Sequence, residues 1–413
     1  MAAGRPTHNG QPDAERAPTR RRRVCRFLSP ASPAAYIMYK TNSRETAVLA
    51  QLVYAGMDTG KAGDSLLELK RLADTAGIAV CDRITQNRPK PDGATLFGKG
   101  KVQDLKNLIH AKNANIVIFD NELSAFQQYN LTKRLNVRVM DRTEVILQIF
   151  ARRARSAEAQ TQVELAQLRF LLSRIPVTEA QQRFRGGIGM KGPGESHLQL
   201  RNAPMRKRIS ELKKRLATIQ KRRLTADSSR KKWPVVSLVG YTNAGKSTLL
   251  NTLAPRSEAY VDDRLFATLD TRTRLVWLKP NKRILLTDTV GFIRHLPHGL
   301  IASFKSTLDV AVQADLLLIV VDASYPHVQD HLKVCYETLE EIGAHNVPSI
   351  LILNKCDKSS SGISSLHVTE KYPQAIPVSA KTGYGLDLLK QSIVEELQKC
   401  CALWQLPSAT SEI

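Results

Sequence analysis

Gly240-Tyr241-Thr242-Asn243-Ala244-Gly245-Lys246-Ser247 fits the pattern G-x-x-x-x-G-K-[ST], between an apolar run over 235–239 and a helical stretch over 247–253. That spacing is the chemistry of a phosphate cradle. Backbone amides over 243–246 are expected to hold a β-phosphate, and Lys246 to reach the β and γ oxygens. The Ser247 hydroxyl, with Thr248 behind it, is expected to ligate Mg²⁺. Downstream lie Asp288-Thr289-Val290-Gly291 and then Asn354-Lys355-Cys356-Asp357. Asp288 follows an apolar run and is expected to hold the metal's water shell, with the Gly291 amide sensing a γ-phosphate. A single carboxylate at Asp357 can accept two donors from a guanine edge, a pair that adenine does not offer. Asn354 and Lys355 are expected to brace the cradle and the base. Ser379-Ala380-Lys381 is expected to place a backbone amide on the guanine carbonyl. The spacing therefore implies a guanine-nucleotide site that hydrolyses GTP.

Two positions bear on the rate of that hydrolysis. Ras-like enzymes orient the attacking water with a Gln just after the D-x-x-G glycine. Here the residue is Phe292, which can neither donate nor accept through its side chain, so it is expected to pack as a hydrophobe and turnover to be slow unaided. His295 is close in sequence, but proximity in sequence is not geometry. Asn243 has two readings. It ligates a potassium ion that supplies positive charge beside the β–γ bridge, or it braces the loop through backbone hydrogen bonds. Lys246 and Asn243 are thus the candidate catalytic groups. A second metal ligand is expected from Leu265-Phe266-Ala267-Thr268-Leu269-Asp270, with Thr268 the best placed and Thr271 and Thr273 open by spacing.

These groups need a scaffold, and charge divides the chain into parts. The 413 residues carry a formal charge of +23, of which +15 falls within 151–232 and −1 within 233–413. Excess charge confined to one segment is the footprint of a polyanion-binding element. Residues 1–44 are expected to be a disordered basic tail. The alternatives are an organellar targeting segment or a start codon misassigned ahead of Met38. Strand and helix alternate over 45–142, with strands expected at Thr46–Val53, Ile78–Cys81, Ile116–Phe119 and Val137–Met140 and with Ser124 capping a helix to Leu135, which implies a small, largely parallel α/β layer. Over 143–232 two long helical stretches, about 143–174 and 204–224, imply an antiparallel hairpin with a glycine-rich loop between them. A Ras-like domain is expected over 233–402 and a short tail over 403–413. The fold class is thus α/β: a small N-terminal α/β domain with a long helical hairpin, then a P-loop GTPase domain.

The loop contains Gly187 to Gly192 in G-x-G-x-x-G spacing, but a basic helix precedes it and Pro193-Gly194 follows, so the dinucleotide reading fails. Either it flexes, or its backbone approaches something such as RNA closely. Arg185 and Lys191 in the loop, and Arg206, Lys207, Arg208, Lys213, Lys214 and Arg215 on the second helix, are the candidate RNA contacts. Gly98-Lys99-Gly100-Lys101 is either a phosphate site at a helix start or a plain turn. The six cysteines show no C-x-x-C spacing, which supports neither a disulfide framework nor a zinc site and fits a reducing compartment.

With these residues in view, the chain resembles the HflX family of GTPases over about 45–400. The resemblance rests on Phe97-Gly98-Lys99-Gly100-Lys101-Val102, Asp141-Arg142-Thr143, Ile149-Phe150-Ala151-Arg152-Arg153-Ala154 and Gln162-Val163-Glu164-Leu165-Ala166-Gln167-Leu168. It rests further on Gly186-Gly187-Ile188-Gly189 with Gly192-Pro193-Gly194-Glu195, on the P-loop, and on Leu265-Phe266-Ala267-Thr268-Leu269-Asp270. It implies Thr268 as the second Mg²⁺ ligand, and binding at the large ribosomal subunit with the glycine loop facing the ribosome's functional centre. It also implies a role in splitting or rescuing stalled ribosomes under stress. Ribosome assembly or RNA modification is the first alternative, and a GTP-binding RNA scaffold that scarcely hydrolyses is the second. No apolar run approaches the roughly 20 residues of a membrane span. A cytoplasmic monomer is expected, associating with ribosomes or a membrane surface, with Mg²⁺ as its ion and K⁺ as the second candidate.

Overall fold

The computed structural model describes residues 45–55, 58–174, 193–228, 233–254, 266, 272–279, 282–294, 305–358 and 372–400. The expectations for 1–44, for the glycine loop and for 403–413 lie outside these residues. The N-terminal layer is β1 (Thr46–Tyr54), α1 (Thr59–Thr75), β2 (Ala79–Arg88), α2 (Lys99–Lys112), β3 (Ile116–Phe119), α3 (Ala125–Leu135), β4 (Arg138–Asp141) and α4 (Arg142–Arg153). The strands are all parallel, in the order β2-β1-β3-β4. β1 is apolar on both faces because it lies between two layers of helices. Ser124 and Gln127 form a reciprocal cap that starts α3 where the sequence predicted it. Gly98 ends the turn before α2, and its N–H donates to Gln86 Oε1 at 3.0 Å, which favours the plain-turn reading there.

Three segments differ from expectation. β2 runs to Arg88 rather than stopping near Cys81, as an edge strand whose residues alternate between exposed and half-buried. The helix expected to run unbroken over 143–174 is two helices, α4 and α5 (Ala157–Ser173). Ser156 breaks it, its hydroxyl accepting from the Ala159 N–H at 3.0 Å. α4 accordingly packs in the N-terminal core, with Val145, Ile149 and Phe150 in one buried cluster with Leu69 and Leu72. The second long helix, α6 (Pro193–Ser228), begins well before Pro204 and passes through it. Proline at the first helical position lacks only an N–H that is unused there. α5 and α6 pack together through Leu165, Leu168, Met205 and Leu212.

The second sheet is built from β5 (Val235–Gly240), β6 (Arg272–Lys279), β7 (Lys282–Asp288), β8 (Leu316–Asp322), β9 (Ser349–Asn354) and β10 (Ile376–Pro377). The order is β10-β9-β8-β5-β7-β6, with β6 antiparallel to β7 and the rest parallel. Helices α7 (Lys246–Leu253), α8 (Lys305–Val312), α9 (Val328–Ile342) and α10 (Leu386–Cys400) cover it. β5 is where the strand order reverses, and ligands of open α/β sheets bind beyond such strand ends. No described helix is long and apolar enough to cross a membrane.

Candidate nucleotide-binding site

The P-loop leaves the end of β5 and opens α7. Asn243 sits at φ 61° and Gly245 at φ 93°, the left-handed turns that bring successive amides to one side. A Cβ on Gly245 would overlap Asn354 Nδ2, so only glycine lets the loop lie against β9. Lys246 is buried, and its Nζ donates to the carbonyls of Gly240 at 3.0 Å and Tyr241 at 2.8 Å. Burial pulls its pKa down, and Asp288 opposes that. A Cβ on Gly291 would meet Thr242 Cα at 2.8 Å and Lys246 Nζ at 3.1 Å. The Gly291 backbone is therefore against the lysine ammonium.

The bracing residues reach the loop directly. Asn354 Nδ2 donates to the Ala244 carbonyl at 2.8 Å, and Lys355 Nζ donates to the Asn243 carbonyl at 2.6 Å and to Asp322 Oδ2 at 2.7 Å. Asn354 Oδ1 accepts from the Ala380 N–H at 3.0 Å, tying the third motif to the same side chain. The Ser379 hydroxyl donates to Asp357 Oδ1 at 2.6 Å, and that bond, first, holds the carboxyl below its usual range. Asp357 is exposed, and its carboxylate is held ionised. Cys356 follows β9 with its thiol on the Leu353 carbonyl at 3.2 Å, and Lys381 is exposed. Thr248 lies in α7. Thr289 and Val290 are buried, Thr289 Oγ1 donating to the Leu238 carbonyl at 2.7 Å.

Ser247 Oγ donates to Asp288 Oδ2 at 2.7 Å. A hydroxyl and a carboxylate at that spacing are hard oxygen donors, which suits Mg²⁺. No group of three or more His, Cys, Asp or Glu that could hold a metal occurs among the described residues, so a nucleotide's oxygens would complete the shell. Ala267, Thr268 and Thr271 lie outside the described residues. Thr273, open by spacing, is instead in β6 with its hydroxyl 2.9 Å from that of Thr287. Phe266 is buried edge-on against Phe150 of α4, with ring centroids 4.7 Å apart.

Phe292 is 2% exposed and packs as a hydrophobe. Its backbone does more than sequence indicated: its N–H donates to the Gly240 carbonyl at 3.0 Å and its carbonyl accepts from the Thr242 N–H at 2.7 Å. In the sequence Tyr241 is marked only as a P-loop position. Its hydroxyl donates to Glu68 Oε1 at 2.5 Å and accepts from the Arg294 N–H at 2.9 Å. Burial and then the Glu68 charge push that phenol's pKa up. Glu68 in turn pairs with Arg142, whose guanidinium also reaches Asp120 at 2.8 Å. His331 is stacked between Tyr241, 3.8 Å away, and Tyr325, 4.1 Å away, and burial brings its pKa down to about 3. None of these long-range contacts has a sequence motif.

Of the RNA candidates, Arg206, Lys207, Lys213, Lys214 and Arg215 are exposed on α6. Arg208 is exposed too, but its guanidinium donates twice to Glu164 of α5, at 2.7 and 3.0 Å, so it ties the two helices together. Arg185 and Lys191 lie outside the described residues, as does His295.

Family models match three consecutive stretches: a GTP-binding GTPase N-terminal domain over 63–151, a GTP-binding GTPase middle region over 153–230 and a 50S ribosome-binding GTPase over 235–355. The GTPase HflX of Caldanaerobacter subterraneus subsp. tengcongensis is 43% identical over 86% of this chain and 81% of its own length. The GTPase HflX of Escherichia coli is 41% identical over 84% of this chain and 82% of its own. The solved SsGBP–GDP complex is 27% identical, covering 86% of this chain and 99% of its own, at a TM-score of 0.48 that adds nothing to the fold seen here.

Proposed function

The chain belongs to the HflX family of GTPases, and from that premise we propose that it couples GTP binding and hydrolysis at its P-loop to a grip on the large ribosomal subunit, splitting or rescuing stalled ribosomes. One observation carries the nucleotide half: Asn354 and Lys355 tie the base-reading segment to the loop carbonyls of Ala244 and Asn243. Phosphate and guanine positions are then fixed relative to each other. The ribosomal half is supported by the +15 segment over 151–232, by its exposed basic face on α6, and by the 50S-binding description of the family matched over 235–355.

In this reading the amides over 243–246 hold the β-phosphate. The Lys246 ammonium leaves the Gly240 and Tyr241 carbonyls for the β and γ oxygens. Ser247, Thr268 and Asp288 hold Mg²⁺, which when bound offsets phosphate charge. Gly291 contacts the γ-phosphate, and Asp357, Ser379, Ala380 and Lys381 surround guanine. Because the Ala380 N–H is already given to Asn354, the Lys381 amide is the one left for the guanine carbonyl. Phe292 presents no polar side chain to water, so unaided turnover is slow. Gradient sedimentation with GTP and with GDP tests the ribosomal half: co-migration with large subunits or 70S particles, GTP-dependent, is expected. Charge reversal at Lys213, Lys214 and Arg215 should weaken that co-migration and flatten its salt dependence. Equal binding by a 233–413 fragment would overturn it, and binding only to precursor particles would favour assembly.

A further inference from the structure

The second half of the chain is close to neutral, yet one piece of it is not. Between Arg272 and Thr287 there are five basic residues, Arg272, Arg274, Lys279, Lys282 and Arg283, and no acidic one. This is the β6–β7 pair, the edge of the six-stranded sheet. The register sorts these side chains by face. Thr273, Leu275, Trp277 and Lys279 are the exposed positions of β6, while Arg274 turns the other way and reaches the Ala254 carbonyl at 3.4 Å. Trp277 is paired with Arg283, and Lys279 with Lys282. The pairing shifts register between Trp277 and Lys279, so Arg283 is the cation set on the indole and the two lysines follow it at the closed end. The Arg283 guanidinium lies 3.5 Å from the Trp277 ring centroid, yet Trp277 remains 53% exposed and Leu275 37%.

That arrangement is costly in isolation. An indole half in water forgoes its burial, and five basic residues with no acidic one between 272 and 287 draw a polyanion. A polyanion that carries aromatic faces answers both. We propose that the β6–β7 hairpin is a docking surface for unpaired RNA, with a base stacked on Trp277 beside Arg283 and phosphates on Lys279 and Lys282. Stacking of this kind tolerates any base, and guanidinium contact adds to it. A duplex fits poorly, because its bases are already stacked and its edges, not its faces, are offered.

The position gives such a contact a consequence. Arg272 at the open end of the hairpin is the register partner of Asp288, and Thr273 of Thr287. The strand that would carry RNA at one end thus ends, at the other, on the carboxylate that holds Ser247. RNA on the hairpin would be read at the P-loop site without touching it. This extends the ribosomal reading above, and isolated RNA oligomers let the two fail separately.

The test uses the full chain with Trp233→Phe and Trp404→Phe, which leaves Trp277 as the sole tryptophan. Oligouridine is titrated against an abasic oligomer of equal length and charge, and against a blunt RNA duplex. Quenching of Trp277 by oligouridine alone is expected. Trp277→Ala in the otherwise native chain should weaken oligouridine binding about fivefold or more, with Trp277→Phe recovering most of it, and guanine-nucleotide affinity unchanged in both as the control for folding. Quenching by the abasic oligomer as strong as by oligouridine would overturn the stacking, as would unchanged oligouridine affinity in Trp277→Ala. Loss of ribosome co-migration in Trp277→Ala with no quenching by any RNA would make the hairpin a protein-docking surface and refute the proposal.

Discussion

Removing the Tyr241 hydroxyl tests how the P-loop is held from outside. Tyr241→Phe deletes one oxygen and leaves the ring on His331. Two bonds go: the donation to Glu68 at 2.5 Å and the acceptance from the Arg294 N–H at 2.9 Å. A bond to a charged partner contributes about 1.5–3 kcal/mol, and a buried donor left without one costs about 1–3 kcal/mol. Glu68 keeps its ion pair with Arg142 and has a side chain 13% exposed, so water recovers part of the first term. The net loss is therefore about 2 kcal/mol, not the sum. It should appear as a lower urea midpoint with an unchanged slope, followed on the full chain. Because Arg294 stands three residues past Gly291, the freed segment is the one expected to sense the γ-phosphate. GTP affinity should fall more than GDP affinity in the same protein, by about threefold to tenfold. An unfolding free energy within about 0.5 kcal/mol of wild type, with the GTP-to-GDP affinity ratio unchanged, would refute the claim that this hydroxyl holds the two segments together.

Asp357→Asn should weaken GTP and gain xanthine-nucleotide binding, at about 1.5–3 kcal/mol for a lost charge-assisted bond, and intact GTP affinity would show the base is read elsewhere. For Asn243, replacing potassium by sodium should slow wild-type turnover and leave Asn243→Ala unmoved if the side chain ligates the ion. Under bracing, Asn243→Ala should instead weaken nucleotide binding by about 1 kcal/mol, the cost of φ 61° without an Asn, with no cation dependence in either protein. His331, with its pKa brought down by burial to about 3 against about 6.5 unfolded, stays neutral in the fold while the unfolded chain takes up a proton. Its contribution is complete above pH 6.5 and is lost as pH falls toward 3, at up to about 1.4 kcal/mol per pH unit. Urea titrations between pH 6.5 and 5 should show that slope in wild type and a shallower one in His331→Phe, and parallel slopes would exclude it.

The P-loop motifs were legible because their chemistry dictates residue type. An ammonium, a hydroxyl and a carboxylate at set spacing leave few alternatives, and the structure joins them through Asn354 and Lys355. The α/β alternation was legible for the same reason that β1 is buried on both faces: a strand between helices is apolar at nearly every position, Gln51 being the buried, hydrogen-bonded exception. Boundaries were less so. Ser156 sits among helix formers, Arg155 before it and Ala157-Glu158-Ala159 after, so its cap is invisible to periodicity. β2 continues through Asp82, Arg83 and Gln86 because an edge strand tolerates polar residues that a sequence reading takes for a loop. Glu68 meets Arg142 across 74 residues of chain and Tyr241 across 173, and no local pattern encodes such contacts. Trp277 becomes informative only once the register places Arg283 opposite it.

Phe292 shows why a missing side-chain function need not be a defect. A Gln there would present an amide to water, but the same position is 2% exposed among apolar neighbours that include Val290 and Ile293. Its backbone meanwhile completes a bridge to the P-loop on both sides, at Gly240 and Thr242. Burial of the ring and the backbone bridge reinforce each other. An exposed polar residue would pull the strand outward and weaken the two bonds that align Gly291 with Lys246. The fold uses this position to tie the segment after Asp288, the one proposed to sense phosphate, to the P-loop. Whatever accelerates hydrolysis must then come from beyond Phe292: an ion at Asn243, or a charge supplied in trans, where an activating group can add roughly 10³–10⁵ in rate. Both routes leave the bridge in place, and this is the physical sense in which turnover would wait for a partner.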